Sequence, residues 1–112
     1  MENAISWADF EKVEIVTGTV VAVEEFPEAR KPAYKLTIDF GPKGIKRSSA
    51  QLTRLYKPEQ LTGMQIVAVV NFPPKQIASF KSECLVLGAI GKDGEVTLLQ
   101  TERKTENGSR IA

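Results

Sequence analysis

Residues 34–50, YKLTIDFGPKGIKRSSA, decide the fold. Tyr34, Leu36, Ile38 and Phe40 alternate with Lys35, Thr37 and Asp39, the period of two that turns one face of a strand toward a core. Gly41-Pro42-Lys43-Gly44 supplies the residues of a tight reversal, and residues 45–50 read as the returning strand. Two short strands are marginal alone, so the flanking sequence must supply others.

Upstream, residues 13–26 are rich in β-branched side chains and predict a first long strand, with Gly18 placed where it can bulge or bend. Ser6 and Asp9 have the spacing of a capping box, and Trp7, Phe10 and Val13 recur at helical spacing, so a short N-terminal helix precedes that strand. The segment FPEARKPA carries two prolines and is a loop with Arg30 and Lys31 at its tip. Downstream, residues 51–56 read as briefly helical, and residues 57–63 as a second helical turn closed by Gly63. Residues 64–72 form a fourth strand that Pro73-Pro74 terminates. The polar connection KQIASFKSE leads to a fifth strand over residues 84–90, a hairpin turn at residues 91–94 and a further strand over residues 96–100. Asn107-Gly108 allows a last tight turn. Three consecutive strands, a short helical connection and at least two more strands give the order of a mainly β, five-stranded Greek-key OB-fold barrel with short helices and terminal extensions. A plain antiparallel sandwich is the alternative.

The chain has 112 residues, 42% of them hydrophobic and 26% charged, which predicts one globular domain over residues 1–112. The longest apolar stretch falls far short of a membrane span, so membrane insertion is not expected. The N-terminus MENAISWADF lacks the pattern of a secretory signal, and Cys84 is the single cysteine; both fit a cytoplasmic protein. Cys84 lies in an apolar run, where a buried structural thiol is expected.

The net charge of +1 conceals a strong asymmetry. Residues 1–29 hold seven acids and one base, a balance of −6, whereas residues 30–81 hold ten bases and two acids, a balance of +8. A region so basic can meet an anionic polymer or an acidic partner. OB-folds bind ligands through strands two and three and their flanking loops, a region that here carries Arg30, Lys31, Lys35, Lys43, Lys46 and Arg47. Tyr34, Phe72 and Phe80 lie near bases and are stacking candidates. Tyr34 and Phe72 fall on the apolar phase of strands and are expected in the core. Phe80 sits in a polar connection and is expected to be exposed or partner-facing.

Catalytic chemistry finds little support. The chain has no histidine, which removes the commonest general base and neutral metal ligand. Glu24 and Glu25 point to opposite faces of a strand, and the glycines form no phosphate-binding loop. One cysteine without histidine cannot build a structural zinc site. The chain is therefore expected to be no enzyme and to need no cofactor or metal.

Residues 11–41, 45–61 and 67–90 together resemble the CsaA-like export-related chaperones of the tRNA-binding-domain family. The most specific piece is Asn71-Phe72-Pro73-Pro74-Lys75 followed by Ser82-Glu83 and an apolar strand. The resemblance implies an OB-fold, a homodimer, binding of unfolded or precursor polypeptides, and an affinity for tRNA. By motif position it places Asn71, Lys75 and Ser82 in the ligand site, with Glu83 beside them. Phe80, Lys81, Arg30, Lys31, Lys46 and Arg47 complete the candidate set. Two departures bear on the ligand. Val16 stands where relatives usually carry arginine, and Glu83-Cys84 stands where many carry glycine-methionine. An acid at position 83 repels phosphate, which ranks polypeptide above tRNA. Trp7 and Phe10, with the polar tail TERKTENGSRIA unable to cover them, independently favour a paired subunit.

Overall fold

The computed structural model describes residues 3–112. Helix α1 (Trp7–Glu11) leads into the long strand β1 (Ile15–Glu25), followed by β2 (Tyr34–Asp39), a 3-10 turn (Gly41–Lys43) and β3 (Ile45–Ala50). Helix α2 (Pro58–Leu61) connects to β4 (Gln65–Val69), and β5 (Lys75–Ile77), β6 (Phe80–Ser82), β7 (Leu85–Val86), β8 (Gly88–Ile90) and β9 (Val96–Leu98) complete the chain. The main antiparallel sheet has the order β3-β2-β1-β4-β7, and it curls until β3 approaches β7 in a nearly closed OB-type barrel. Among the described residues no helix is long and apolar enough to cross a membrane.

The alternation read in residues 34–40 is the alternation of burial: Tyr34, Leu36, Ile38 and Phe40 lie in the core with Val16, Val20, Leu61 and Ile66. Closure requires β1 to serve two partners, since residues 15–19 pair with β4 and residues 19–25 with β2. The bend is made by a bulge at Val21, where the register slips between Val20 and Ala22. It is not made at Gly18, as the sequence had led us to expect. Gly18 instead gives way to the Phe40 ring, which a Cβ at that position would meet at 2.5 Å.

The seam between β3 and the start of β7 is closed largely by side chains. The Glu83 N–H donates to the Arg47 carbonyl at 2.7 Å, and the Glu83 carboxylate accepts from the Arg47 N–H at 3.0 Å. Ser82 Oγ accepts from the Ser49 N–H at 3.2 Å, and the buried Ser48 hydroxyl donates to the Cys84 carbonyl at 2.8 Å. These bonds satisfy backbone groups that a regular ladder would otherwise pair.

The C-terminal segment occupies the edge of β1 that β2 leaves open. The Thr17 N–H donates to the Ser109 carbonyl at 3.0 Å, the Gly108 N–H to the Thr17 carbonyl at 2.7 Å, and the Ile111 N–H to the Ile15 carbonyl at 2.9 Å. The fully buried Thr17 hydroxyl donates to the Glu106 carbonyl and accepts from the Ser109 N–H. Thr17→Val keeps the shape but strips both bonds. It is expected to cost about 1.5 kcal/mol in urea unfolding, and an unchanged midpoint would contradict this account.

Four expectations are corrected. Residues 51–56 form a single bonded turn, from the Tyr56 N–H to the Leu52 carbonyl, rather than a helix. The fourth strand ends at Val69, so Phe72 lies beyond it and is 54% exposed instead of core. The polar connection at residues 75–83 is itself a hairpin, β5–β6, because Ile77 and Phe80 pair across the two-residue loop Ala78-Ser79. The single fifth strand is two short ones, β7 pairing with β4 and β8 with β9.

Candidate functional site

The β5–β6 hairpin folds over the outward phase of β2 and β3, the face that carries Lys35 and Arg47. Its anchor is Phe80, which is 4% exposed, contrary to the exposed ring expected from its polar neighbours. The reason is tertiary. Arg47 lies 4.6 Å and Lys35 Nζ 5.7 Å from the Phe80 ring centroid, and Phe26 meets it edge-on at 5.4 Å. Lys35 also lies 4.8 Å over Phe26. Cations above aromatic faces hold a ring without an apolar sequence context. Arg47 is fixed on its other side by Glu24 at 3.1 Å.

Beside Phe80, the space between hairpin and barrel stays open as a cleft of 530 Å³. Phe72, Pro73, Ile77 and Leu85 supply its apolar wall, and Lys75, Ser82 and Glu83 its polar one. Ser82 and Glu83 face the cleft with Ser82 Oγ and Glu83 Oε1 already engaged in the barrel seam. Cys84 lies at the cleft floor, 6% exposed, and burial pushes its thiol up to about 11. It is therefore expected to resist iodoacetamide at neutral pH while the fold is intact. Labelling of the native chain at the rate of the urea-unfolded chain would contradict this.

The candidate residues do not all converge. Arg47, Lys75, Phe80, Ser82 and Glu83 gather around the hairpin and cleft, and Lys81 projects from the hairpin's outer face. Arg30 and Lys31 are exposed on the loop after β1, with Arg30 lining a cavity beside Phe26. Lys46 is displaced, since it pairs with Ile38 on the inward phase while its neighbour Arg47 pairs with Thr37 on the outward one. Its charge instead acts on Glu14, whose carboxyl is held below its ordinary value chiefly by the hydrogen bond from Lys43 at 2.8 Å, with smaller pulls from Lys43's charge, Arg110 and Lys46. That interaction supports the fold at neutral pH and is lost as pH falls through the lowered value.

Asn71 also stands apart. Its Oδ1 accepts from the Glu14 N–H at 2.9 Å and its Nδ2 donates to the Lys12 carbonyl at 2.6 Å, which pins the N-terminal arm to the barrel. Phe26, Ile77 and Leu85 carry no signal in the sequence that marks them for the site, and they belong to the cleft or its anchor only because the hairpin folds back. Lys35 is legible as a base of the β2–β3 face, and Phe72, a stacking candidate expected in the core, lines the cleft instead.

Fold and site together define an OB-type barrel whose β2–β3 face is roofed by a cation-anchored hairpin, with an apolar cleft beneath and Lys75 at its rim. The chain belongs to the putative tRNA-binding domain family, whose model matches residues 15–110. It is similar to chaperone CsaA of Bacillus anthracis str. Ames, at 53% identity and a TM-score of 0.93, over 97% of this chain and 99% of that one. The CsaA chaperone protein of Picrophilus torridus matches at 54% identity and a TM-score of 0.91, over 97% and 100% of the two chains. Methionine–tRNA ligase of Methanococcoides burtonii is 32% identical over 110 residues, 98% of this chain but 16% of that protein. The chain thus spans about one sixth of the length of that curated relative. The resemblance drawn from residues 11–90 is borne out.

Proposed function

We propose that this protein is a non-catalytic, cytoplasmic chaperone that holds unfolded or precursor polypeptides in connection with protein export. The observation that carries the reading is likeness along nearly the whole chain to two CsaA chaperones, at 53% and 54% identity. The cleft adds a physical motive, since half-exposed Phe72 and Leu85 are poised for apolar contact at one opening. Binding is expected to combine that contact with the charge of Lys75 in the cleft lining. The test is a titration of labelled precursor peptides, together with suppression of aggregation of a chemically unfolded client. Absence of saturable peptide binding would reject the reading.

tRNA is the second ligand class, favoured by the family match and by Lys35, Arg47, Lys75 and Lys81 around one aromatic-anchored hairpin. It requires affinity that falls steeply with salt, because phosphate contacts release counterions. Binding that ignores salt would exclude it.

The protein acts as a homodimer in this reading. Trp7 is 85% and Ile5 69% exposed, and together with Phe10 and Ala112 they line a cavity of 560 Å³ formed by the two termini. So large an apolar patch is costly to leave in water. Trp7→Ala with Phe10→Ala is expected to weaken self-association at least tenfold by light scattering, about 1.4 kcal/mol. A parent chain that scatters only as 12.3 kDa at micromolar concentration would refute the dimer.

A further inference from the structure

The geometry points to a narrower ligand class for the cleft, resting on the polypeptide reading: extended apolar segments that carry acidic residues beside their apolar side chains. Phe80, paired with Ile77 on the same face of the β5–β6 hairpin, is buried as the hairpin's anchor, and a separate open cleft lies beside it. The cleft is walled by Phe72, Pro73, Ile77 and Leu85. At 530 Å³ it has room for large apolar side chains and falls within the range of ligand cavities.

The charge around the opening sets what flanks those side chains. Among the described residues Glu83 is the only acid lining the cleft, and its Oε1 accepts from the Arg47 N–H. Glu24 is engaged by the Arg47 guanidinium. Among the described residues, none of Lys35, Lys75 and Lys81 has a carboxylate within 4.0 Å. Lys75 lines the cleft itself, and Lys81 lies directly across the hairpin from Gln76, on the face turned away from the barrel. An incoming segment therefore meets an apolar wall with one lysine, Lys75, that no carboxylate of the described residues pairs, while the Glu83 carboxylate in the same lining is drawn to the Arg47 N–H. A carboxylate one or two residues from the buried side chain completes a pair that the fold leaves open. A lysine or arginine at that place meets like charge, which disfavours it.

The test uses the full chain and three terminally blocked peptides with neutral dyes. They share one apolar core and differ in flanking pairs of Glu, Gln or Lys. By fluorescence anisotropy at low salt, the Glu-flanked peptide is expected to bind about tenfold tighter than the Lys-flanked one, with Gln between. Lys75→Glu is expected to shrink that preference to within about threefold, by removing one rim cation and adding an anion. Leu85→Ser, at a side chain 49% exposed, should weaken all three about fivefold without changing their order. Equal binding of the three, tighter binding of the Lys-flanked peptide, or indifference to Lys75→Glu would overturn the inference and leave the polypeptide reading standing. Loss of tRNA affinity in Leu85→Ser with peptide affinity intact would assign the cleft to nucleobases and also overturn it. If none of the three peptides binds, the polypeptide reading itself fails.

Discussion

Gly18→Val is expected to destabilise the barrel by about 3 kcal/mol, at the upper end of what overpacking a core costs. A Cβ at position 18 would meet Phe40 Cδ1 at 2.5 Å, Phe40 Cε1 at 2.6 Å and Ile38 Cγ2 at 2.8 Å. Neither neighbour has room to yield, since both side chains are fully buried. The backbone of Phe40 is held as well, its N–H donating to the Gly44 carbonyl at 2.9 Å while its carbonyl lies 2.7 Å from where a Cβ on Gly108 would sit. Relief must therefore come from displacement of β1 itself, and β1 is the strand that joins the two halves of the sheet. For a chain of this size the loss corresponds to a fall in Tm of roughly 15 °C. Calorimetry checks it. A fall of less than 3 °C would show that the ring retreats freely. Gly63 is the internal contrast, with nothing within 4 Å of its Cβ position. Its own constraint is the backbone, at φ +91°.

Phe80→Ala is expected to release the β5–β6 hairpin while the barrel stays folded. Each strand of the hairpin has three residues, and an isolated two-stranded hairpin is marginal in water. Its loop adds a cost, because Ala78 adopts φ +52° without being glycine. What holds it is the Phe80 ring against Phe26, Arg47 and Lys35, together with the bonds of Ser82 and Glu83. Truncating a buried Phe costs about 3–5 kcal/mol, and here that loss falls on one local unit. Tryptic cleavage at Lys75 and Lys81 in the native chain should accelerate roughly a hundredfold, the equivalent of about 3 kcal/mol of local opening. The Tm should fall less than in Gly18→Val. Phe80→Leu is expected to lie between parent and alanine, since it keeps apolar filling and loses the cation–ring contacts. Unaltered cleavage in Phe80→Ala would mean the hairpin is held elsewhere. Peptide affinity should fall with hairpin order, because the cleft exists only while the hairpin is docked.

The barrel was legible in the sequence because its signal is local. The alternation of Tyr34, Leu36, Ile38 and Phe40 is a property of successive residues, and a strand buried on one face can satisfy it in only one register. Ser6 with Asp9, and Gly63 after α2, likewise act over three or four residues and were read correctly. The basic character of residues 30–81 was equally plain from counting charges.

The placement of the site was decided by tertiary structure. Phe80 looked exposed because IASFKSE is polar, yet its environment is made by Phe26, Lys35 and Arg47, from three other segments of the chain. Lys46 and Arg47 are adjacent in sequence and opposite in space, because the strand's period of two sends neighbours to different faces. Glu83 read as a repellent charge and became a seam acceptor once Arg47 was brought to it. A sequence thus fixes what each residue offers and the periodicity of its own strand. Only chain reversal fixes which cation lies over which ring, which carboxylate already accepts a hydrogen bond, and which lysine lines the cleft without a partner.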